Sequence, residues 1–422
     1  MNKYPKYKPS GVEWIGEIPE HWEVKRLKYS DNIIMGQSPS SDDYNFVENG
    51  FPFIQGNAEF TEFHPEPKLW CSSTNKFALI DDILLSVRAP IGAVNIADQK
   101  IGIGRGLCSI RPKLHHKKYL YYFILYSTDE LNSIGTGSTY TAISAEDVEN
   151  LFSLNPYFEE QTAIANFLDK KTSQIDKLIT NKQKLIELLK EERTAVINQA
   201  VTRGIKPNVK LKPSGIEWLG DIPEHWEVKK LKYVLSIKSG DGIKPEEIDF
   251  EGTYPVYGGN GIMGYTGNYN SDQLIIIIGR VGAKCGNVRL IGGKKWISDN
   301  ALVATLFDGY DFKFTSILLE SINLNSLANQ NAQPLITGTL VRDKIVATPF
   351  GIEEQTQIVQ YIESETKRID TTISKIEKEI ELLQEYRTAL ISEVVSGKLC
   401  VYINNNNQEN QSEDRIPYSI NK

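Results

Sequence analysis

The chain has 422 residues, 40% of them apolar and 24% charged, with a formal net charge of -7. Such a length supplies two to four ordinary domains, and the balance excludes disordered, collagen-like and small disulfide-scaffold chains. The charge argues mildly against nucleic acid as a partner, but it is an average over an uneven chain. Cys71, Cys108, Cys285 and Cys400 are scattered, without the paired spacing of a zinc or thiol-redox centre, which fits a reducing, cytoplasmic setting. The N-terminus is polar and does not read as a secretory signal, and the longest apolar run, Leu274–Ile278, is far too short to span a membrane.

In chain order, the first feature is a repeat. Lys6–Tyr29 recurs as Lys210–Tyr233, with 19 of 24 positions identical. A second block repeats at a slightly shorter offset. Glu159-Glu160-Gln161-Thr162 returns as Glu353-Glu354-Gln355-Thr356, Ile175-Asp176 as Ile369-Asp370, and Arg193-Thr194-Ala195 as Arg387-Thr388-Ala389. Segments 30–157 and 234–351, between the blocks, are much less alike. Each half therefore has near-constant ends around a variable middle, the pattern of a tandem duplication.

Segment 30–157 opens with polar, turn-rich sequence. Strand-like runs follow at 83–87 and 91–96, then an aromatic helix candidate at 119–126. Segment 234–351 predicts strands at 253–257, 274–278 and 301–306 and a helix near 314–327. Both read as α+β modules with short-stranded sheets and long polar loops. Basic residues cluster locally, from Asp82 to Lys118 and at Arg280, Lys284, Arg289, Lys294 and Lys295. Interleaved with Gly, Asn, Gln and Tyr, they suit phosphate contact and base-edge hydrogen bonding, although solvated strand edges also carry Lys. Residue type and loop context give contact candidates: Gln37, Asn57, Arg88, Arg105, Ser138 and Tyr140 in the first module, and Asn260, Tyr265, Arg280, Lys284 and Gln333 in the second.

The stretches near 159–203 and 352–399 lack helix breakers over most of their length and carry apolar residues in alternating steps of four and three. The seam is Ile175, Ile179, Ile186 and Leu189 in the first, and Ile369, Ile373, Ile376, Ile380 and Leu383 in the second. Lys182 and Arg193 interrupt one stripe and Arg387 the other. Each helix would be about 65 Å long, or about two turns of B-DNA. The two repeats supply each other's partner within one chain, and pairing between chains is the alternative. The tail, 400–422, is rich in Asn and Gln and reads as disordered.

Gly259-Asn260-Gly261-Ile262-Met263-Gly264 matches a dinucleotide-loop pattern literally, but no helix follows it and no acid stands at the required distance. Asn155-Pro156-Tyr157 is an incomplete methyltransferase-like motif. His21 and His225, each beside Trp in the repeat, read as packing or turn residues, and His115-His116 lacks spaced metal partners. Nothing assembles an acid–base pair or an activated nucleophile, so the chain reads as a binding protein with no catalytic, cofactor-binding or metal residues.

The duplicated Pro-Ser-Gly…Glu-Trp…Ile-Pro-Glu-His-Trp-Glu-Val element resembles the specificity (S) subunits of type I DNA restriction–modification systems. So do the Glu-Glu-Gln helix starts and the Arg387–Leu399 ending, and the likeness runs from residue 6 to about 401. The resemblance implies an α+β fold: two similar target recognition domains, each a small β-sheet plus helices, separated by two long antiparallel coiled-coil helices in a pseudo-twofold tandem duplication. The corresponding parts are recognition domain 1 (1–157), spacer helix 1 (158–205), recognition domain 2 (206–351), spacer helix 2 (352–399) and the tail (400–422). It further implies that each domain reads half of a bipartite, asymmetric double-stranded DNA site while the helices set the gap. The helices would also dock two modification (methyltransferase) subunits that methylate adenine N6, and two restriction (motor-nuclease) subunits can join. S-adenosylmethionine, ATP and magnesium are then expected in those partners and none in this chain. A dimerising scaffold and a self-sufficient DNA-modifying enzyme are the competing readings from other classes.

Overall fold

The computed structural model describes residues 3–135, 142–249, 251–282, 284–328 and 334–402. They fall into two compact units, one made of 1–181 with 379–422, the other of 182–378.

In the first unit the repeated N-terminal element closes the variable module. Glu23–Arg26 pairs antiparallel with Phe152–Asn155, immediately before the first long helix, Phe158–Arg203. The module holds a four-stranded antiparallel sheet in the order Val94–Ile96, Ile83–Ser86, Leu107–Pro112, Asp31–Met35. A second, mixed sheet has the order Tyr44–Asn45, Leu69–Cys71, Phe51–Ile54, Ile101–Ile103, Phe77–Ala78. Residues 83–87 are all buried, Ser86 included, because both strand faces are covered. Ile83 and Leu85 face the main core with helix Lys117–Tyr126, while Leu84 joins Ile101, Ile103 and Leu107 between the sheets.

The second unit repeats this plan. Glu227–Lys230 pairs with Ile345–Thr348, ahead of the second long helix, Ile352–Val395. Its four-stranded sheet runs Leu235–Ser239, Ala301–Leu306, Ile275–Gly279, Val288–Ile291. Ile276 and Ile278 face the main core, and Ile275 and Ile277 face the second sheet. That sheet keeps three strands, Gly261–Thr266, Tyr254–Gly258 and Trp296–Ile297; the two-residue outer strands of the first module are reduced to single bridges, Asp249 to Tyr265 and Ser271 to Lys295. The helix expected near 314–327 is helix Phe312–Ser321 and a separate 3-10 turn Leu324–Leu327, broken at Asn323 with φ of +52°.

The repeated Glu-Glu-Gln places two acids in the first turn of each long helix, where they complement its dipole. The Gln is a buried clamp. Gln161 accepts from His116 N at 2.7 Å and donates to Pro156 O at 3.0 Å. Gln355 accepts from Asp311 N at 2.8 Å and donates to Gly309 O at 3.1 Å. Each clamp thus ties a long helix to the start of its module's own helix. The repeated histidines meet the repeated acids: His21 Nε2 is 2.9 Å from Glu160 Oε2, and His225 Nε2 is 2.9 Å from Glu354 Oε2.

Both long helices stop at a glycine with positive φ, Gly204 (+72°) and Gly397 (+75°), the usual terminator. A Cβ on Gly397 would lie 2.5 Å from Pro19 Cδ, and one on Gly204 3.4 Å from the Trp226 ring. Each Pro-Glu-His-Trp element therefore holds the start of one long helix and the end of the other, which requires the helices to run antiparallel within each unit.

Along the seam Ile175, Ile186, Leu189, Ile369 and Ile376 are buried, and Ile179, Ile373, Ile380 and Leu383 are half-buried. The two arginine interruptions form cross-helix ion pairs. In the first unit Arg387 Nε donates to Asp176 Oδ1 at 2.9 Å; in the second Arg193 Nε donates to Asp370 Oδ1 at 3.0 Å. The second helix ends at Val395 rather than 399, and Leu399, Cys400 and Val401 pack onto the first core. The rest of the tail, 403–422, lies outside the described residues.

Candidate nucleic-acid interface

In each module the two sheets bring strand ends together so closely that backbone meets backbone. In the first, a Cβ on Gly36 would lie 2.1 Å from Gly104 O, and one on Gly106 2.5 Å from Gln55 O. Gln37 N donates to Ile103 O at 2.9 Å, Gly106 N to Gln55 O at 3.1 Å, Val87 N to Gly106 O at 3.0 Å, and Arg105 N to Ser38 Oγ at 3.2 Å. No side chain fits inside this knot, so the polar residues on its rim are displaced outward. Gln37, Gln55, Arg88 and Arg105 are exposed, and Asn57, just beyond Gln55, is half-buried.

The second module builds the same knot from different residues. A Cβ on Gly279 would lie 2.1 Å from Gly259 O, and one on Gly240 2.3 Å from Ser298 O. Arg280 N donates to Asn300 O at 3.0 Å, and its Nη1 donates to Ser239 Oγ and Asp299 O, both at 3.2 Å. Asn260 and Lys284 are exposed around it, with Lys284 in the turn that follows Arg280.

The structure therefore gathers Gln37, Asn57, Arg88 and Arg105 on one rim, and Asn260, Arg280 and Lys284 on the other. Tyr265 is not brought there. It pairs with Pro255 and exchanges backbone bonds with Asp249 at 2.6 and 2.7 Å, toward the far end of its hairpin. Ser138, Tyr140 and Gln333 lie outside the described residues. The flanks of those stretches do reach the knots: Ile143 N donates to Val87 O at 3.0 Å, and Ile336 N to Arg280 O at 2.9 Å.

The two basic clusters read from sequence break up on folding. Arg111 is bound to Asp82, Lys117 to Asp81 and Lys118 to Asp169. Lys100 lies over the Phe51 and Phe77 rings at 4.4 and 4.2 Å. Lys295 is buried, its ammonium donating to Gly293 O at 2.7 Å and to Gln273 O, and burial lowers its pKa. Linear density of charge thus overstated the free cations. Arg289 is the residue the candidate set missed: its Nη2 donates to Asn260 O at 3.0 Å. The sequence showed it only as one member of a basic cluster; the pairing of strands is what places it beneath that turn.

The dinucleotide-like glycines at 259–264 form the turn and outgoing strand of a hairpin, not a strand-to-helix loop. Asn155 is a strand residue whose side chain bonds Ser30 and Ser153. His115 is fully buried, with Nδ1 2.5 Å from Asp31 Oδ2. Among the described residues no cluster of His, Cys, Asp or Glu could hold a metal ion, and no helix is long and apolar enough to cross a membrane.

The family model described as the type I restriction modification DNA specificity domain matches residues 19–189 and again 223–382, one copy for each half of the duplication. The chain belongs to this family.

The chain is 41% identical over 197 residues to the MjaX specificity subunit of Methanocaldococcus jannaschii, covering 46% of this chain and 45% of that protein. It is 26% identical over 423 residues to the MjaVIII specificity subunit of the same organism, covering 91% and 94%. The chain thus spans about half the length of the first of these specificity subunits and nearly all of the second. A solved structure concerning complex assembly and conformational transition of the type I restriction–modification system shares the fold with a TM-score of 0.72 at 16% identity, covering 90% of this chain and 99% of that one. The HsdS subunit of Thermoanaerobacter tengcongensis gives 0.56 at 16% identity, over 90% and 98%.

Proposed function

We propose that this chain is the non-catalytic DNA-reading component of a type I restriction–modification complex, each module reading one half of a split site. The observation that carries the reading is the pair of equivalent strand-end knots, built from dissimilar residues on a repeated frame. A fixed frame with two different rims suits one task performed on two different sequences. Polar and basic side chains on a rigid rim supply base-edge donors and acceptors with phosphate contacts around them. The paired long helices supply a spacer between the half-sites and a surface for two methyltransferase subunits acting on adenine N6. Motor-nuclease subunits would add cleavage of unmodified DNA, and S-adenosylmethionine, ATP and magnesium belong to these partners.

A map of N6-methyladenine in host DNA, with the gene intact and deleted, tests this function. Loss of one split motif with a fixed gap is the expected result. Exchange of residues 30–157 for another such module should then change one half of the motif and leave the other. A change in both halves would refute the division of labour.

A further inference from the structure

Asn57 and Asn260 occupy the same place in the two modules. Ile54 pairs with Ile103 and Tyr257 with Ile297 in equivalent parallel ladders, and each asparagine stands three residues beyond that paired position. Each follows a glycine, Gly56 or Gly259, and each strand carries a proline, Pro52 or Pro255, five residues earlier. This identity persists where the modules otherwise diverge.

The backbone does not account for it. Asparagine in a turn commonly adopts positive φ or bonds its own backbone. Neither residue has positive φ. Asn45 shows the local alternative: its Oδ1 accepts from Val47 N at 3.2 Å and Asn49 N at 3.0 Å. No described residue bonds the carboxamide of Asn57 or Asn260.

The turn beneath Asn260 is nonetheless fixed. Gly258 pairs with Gly261, leaving Gly259 and Asn260 as the loop, and Gly259 is packed against Gly279. Arg289 holds Asn260 O, and its Nη1 lies 3.1 Å from where a Gly261 Cβ would be. The result is an exposed amide on an immobilised turn, with exposed Ile262 and Met263 beside it. A carboxamide offers one donor and one acceptor in a plane, the complement of adenine N6–H and N7, and apolar side chains suit the thymine methyl.

We infer that Asn57 and Asn260 are matched specificity residues, each reading an adenine in its own half-site, with Arg289 as the positioning residue for Asn260. This rests on the DNA-reading function proposed above. The test selects duplexes from a randomised library with the full-length protein and with Asn57→Ala, Asn260→Ala and the near-isosteric Asn260→Asp. The unsubstituted protein should select a split motif with an adenine in each half. Each alanine variant should lose about tenfold or more of its preference at one A·T position, in one half only, and Asn260→Asp should also lose the adenine. Arg289→Ala should weaken preference at the Asn260 position alone. An unchanged motif, or affinity lost evenly across sequences, would overturn the inference while leaving the function standing. Failure of the unsubstituted protein to select any motif would overturn both.

Discussion

Arg387 reaches across the helix seam to Asp176 at 2.9 Å, and both side chains are only 25% exposed. The equivalent pair in the other unit, Arg193 and Asp370, is more open, at 42% and 53%. The duplication therefore places the same ion pair in two environments, and they should differ in worth. Asp370→Ala should cost under about 1 kcal/mol, as exposed pairs do. Asp176→Ala should cost about 1–2 kcal/mol, because Arg387 is left half-buried without its partner. Urea melts of the two variants check the order, which equal losses would contradict.

The helix-terminating glycines make a second matched pair. Gly204→Ala should cost about 1 kcal/mol, for the positive φ alone. Gly397→Ala adds a Cβ 2.5 Å from Pro19 and 3.0 Å from the Trp22 ring, so a loss of about 2–4 kcal/mol is expected. Thermal unfolding of both variants would show whether the close approach to Pro19 matters.

Alkaline titration should destabilise the first unit. Burial, chiefly, raises the pKa of Tyr4, Tyr119, Tyr121, Tyr122 and Tyr126, with Glu160 adding to the effect at Tyr4 and Tyr119. The folded form keeps these protons while the unfolded chain releases them near pH 10. Stability is therefore fully present below about pH 10 and falls as pH rises beyond it. Exposed tyrosines such as Tyr29, Tyr157 and Tyr233 ionise first with the fold intact, whereas the last phenolate absorbance should appear together with loss of helical circular dichroism; complete ionisation at intact ellipticity would contradict the burial.

Arg88 and Arg105 stand exposed on the first rim and should act mainly through phosphate. Alanine at either should weaken binding across all sequences and lower the salt-dependence slope by about one. Equilibrium binding to the selected duplex at several salt concentrations measures this, and an unchanged slope would remove that residue from the interface.

The sequence made the repeated frame plain because its physics is local. Heptad steps at 369–383, acids at the helix starts and the unbroken apolar run at 274–278 each declare an element within a few residues. The knots were legible only in part. Gln37, Arg105 and Asn260 stand out as polar residues among glycines, yet their convergence depends on which strands pair. Lys295 looked like a surface cation because nothing adjacent reveals that two carbonyls receive its ammonium. Arg289 was missed for the same reason, its partner lying 29 residues away. Even the role of His21 beside Trp22 became specific only when Glu160, 139 residues on, proved to be its partner.

Tyr7 near the start of the chain donates its hydroxyl to Gly397 O, at 3.1 Å. The corresponding stretch of the second unit, from Gly204 to Leu211, is continuous backbone. The same corner is thus closed by a hydrogen bond in the first unit and by covalent backbone in the second. A circularly permuted chain, opened between Lys206 and Val209 and joined from Tyr402 to Lys3 by a short linker, should fold and read the same two half-sites.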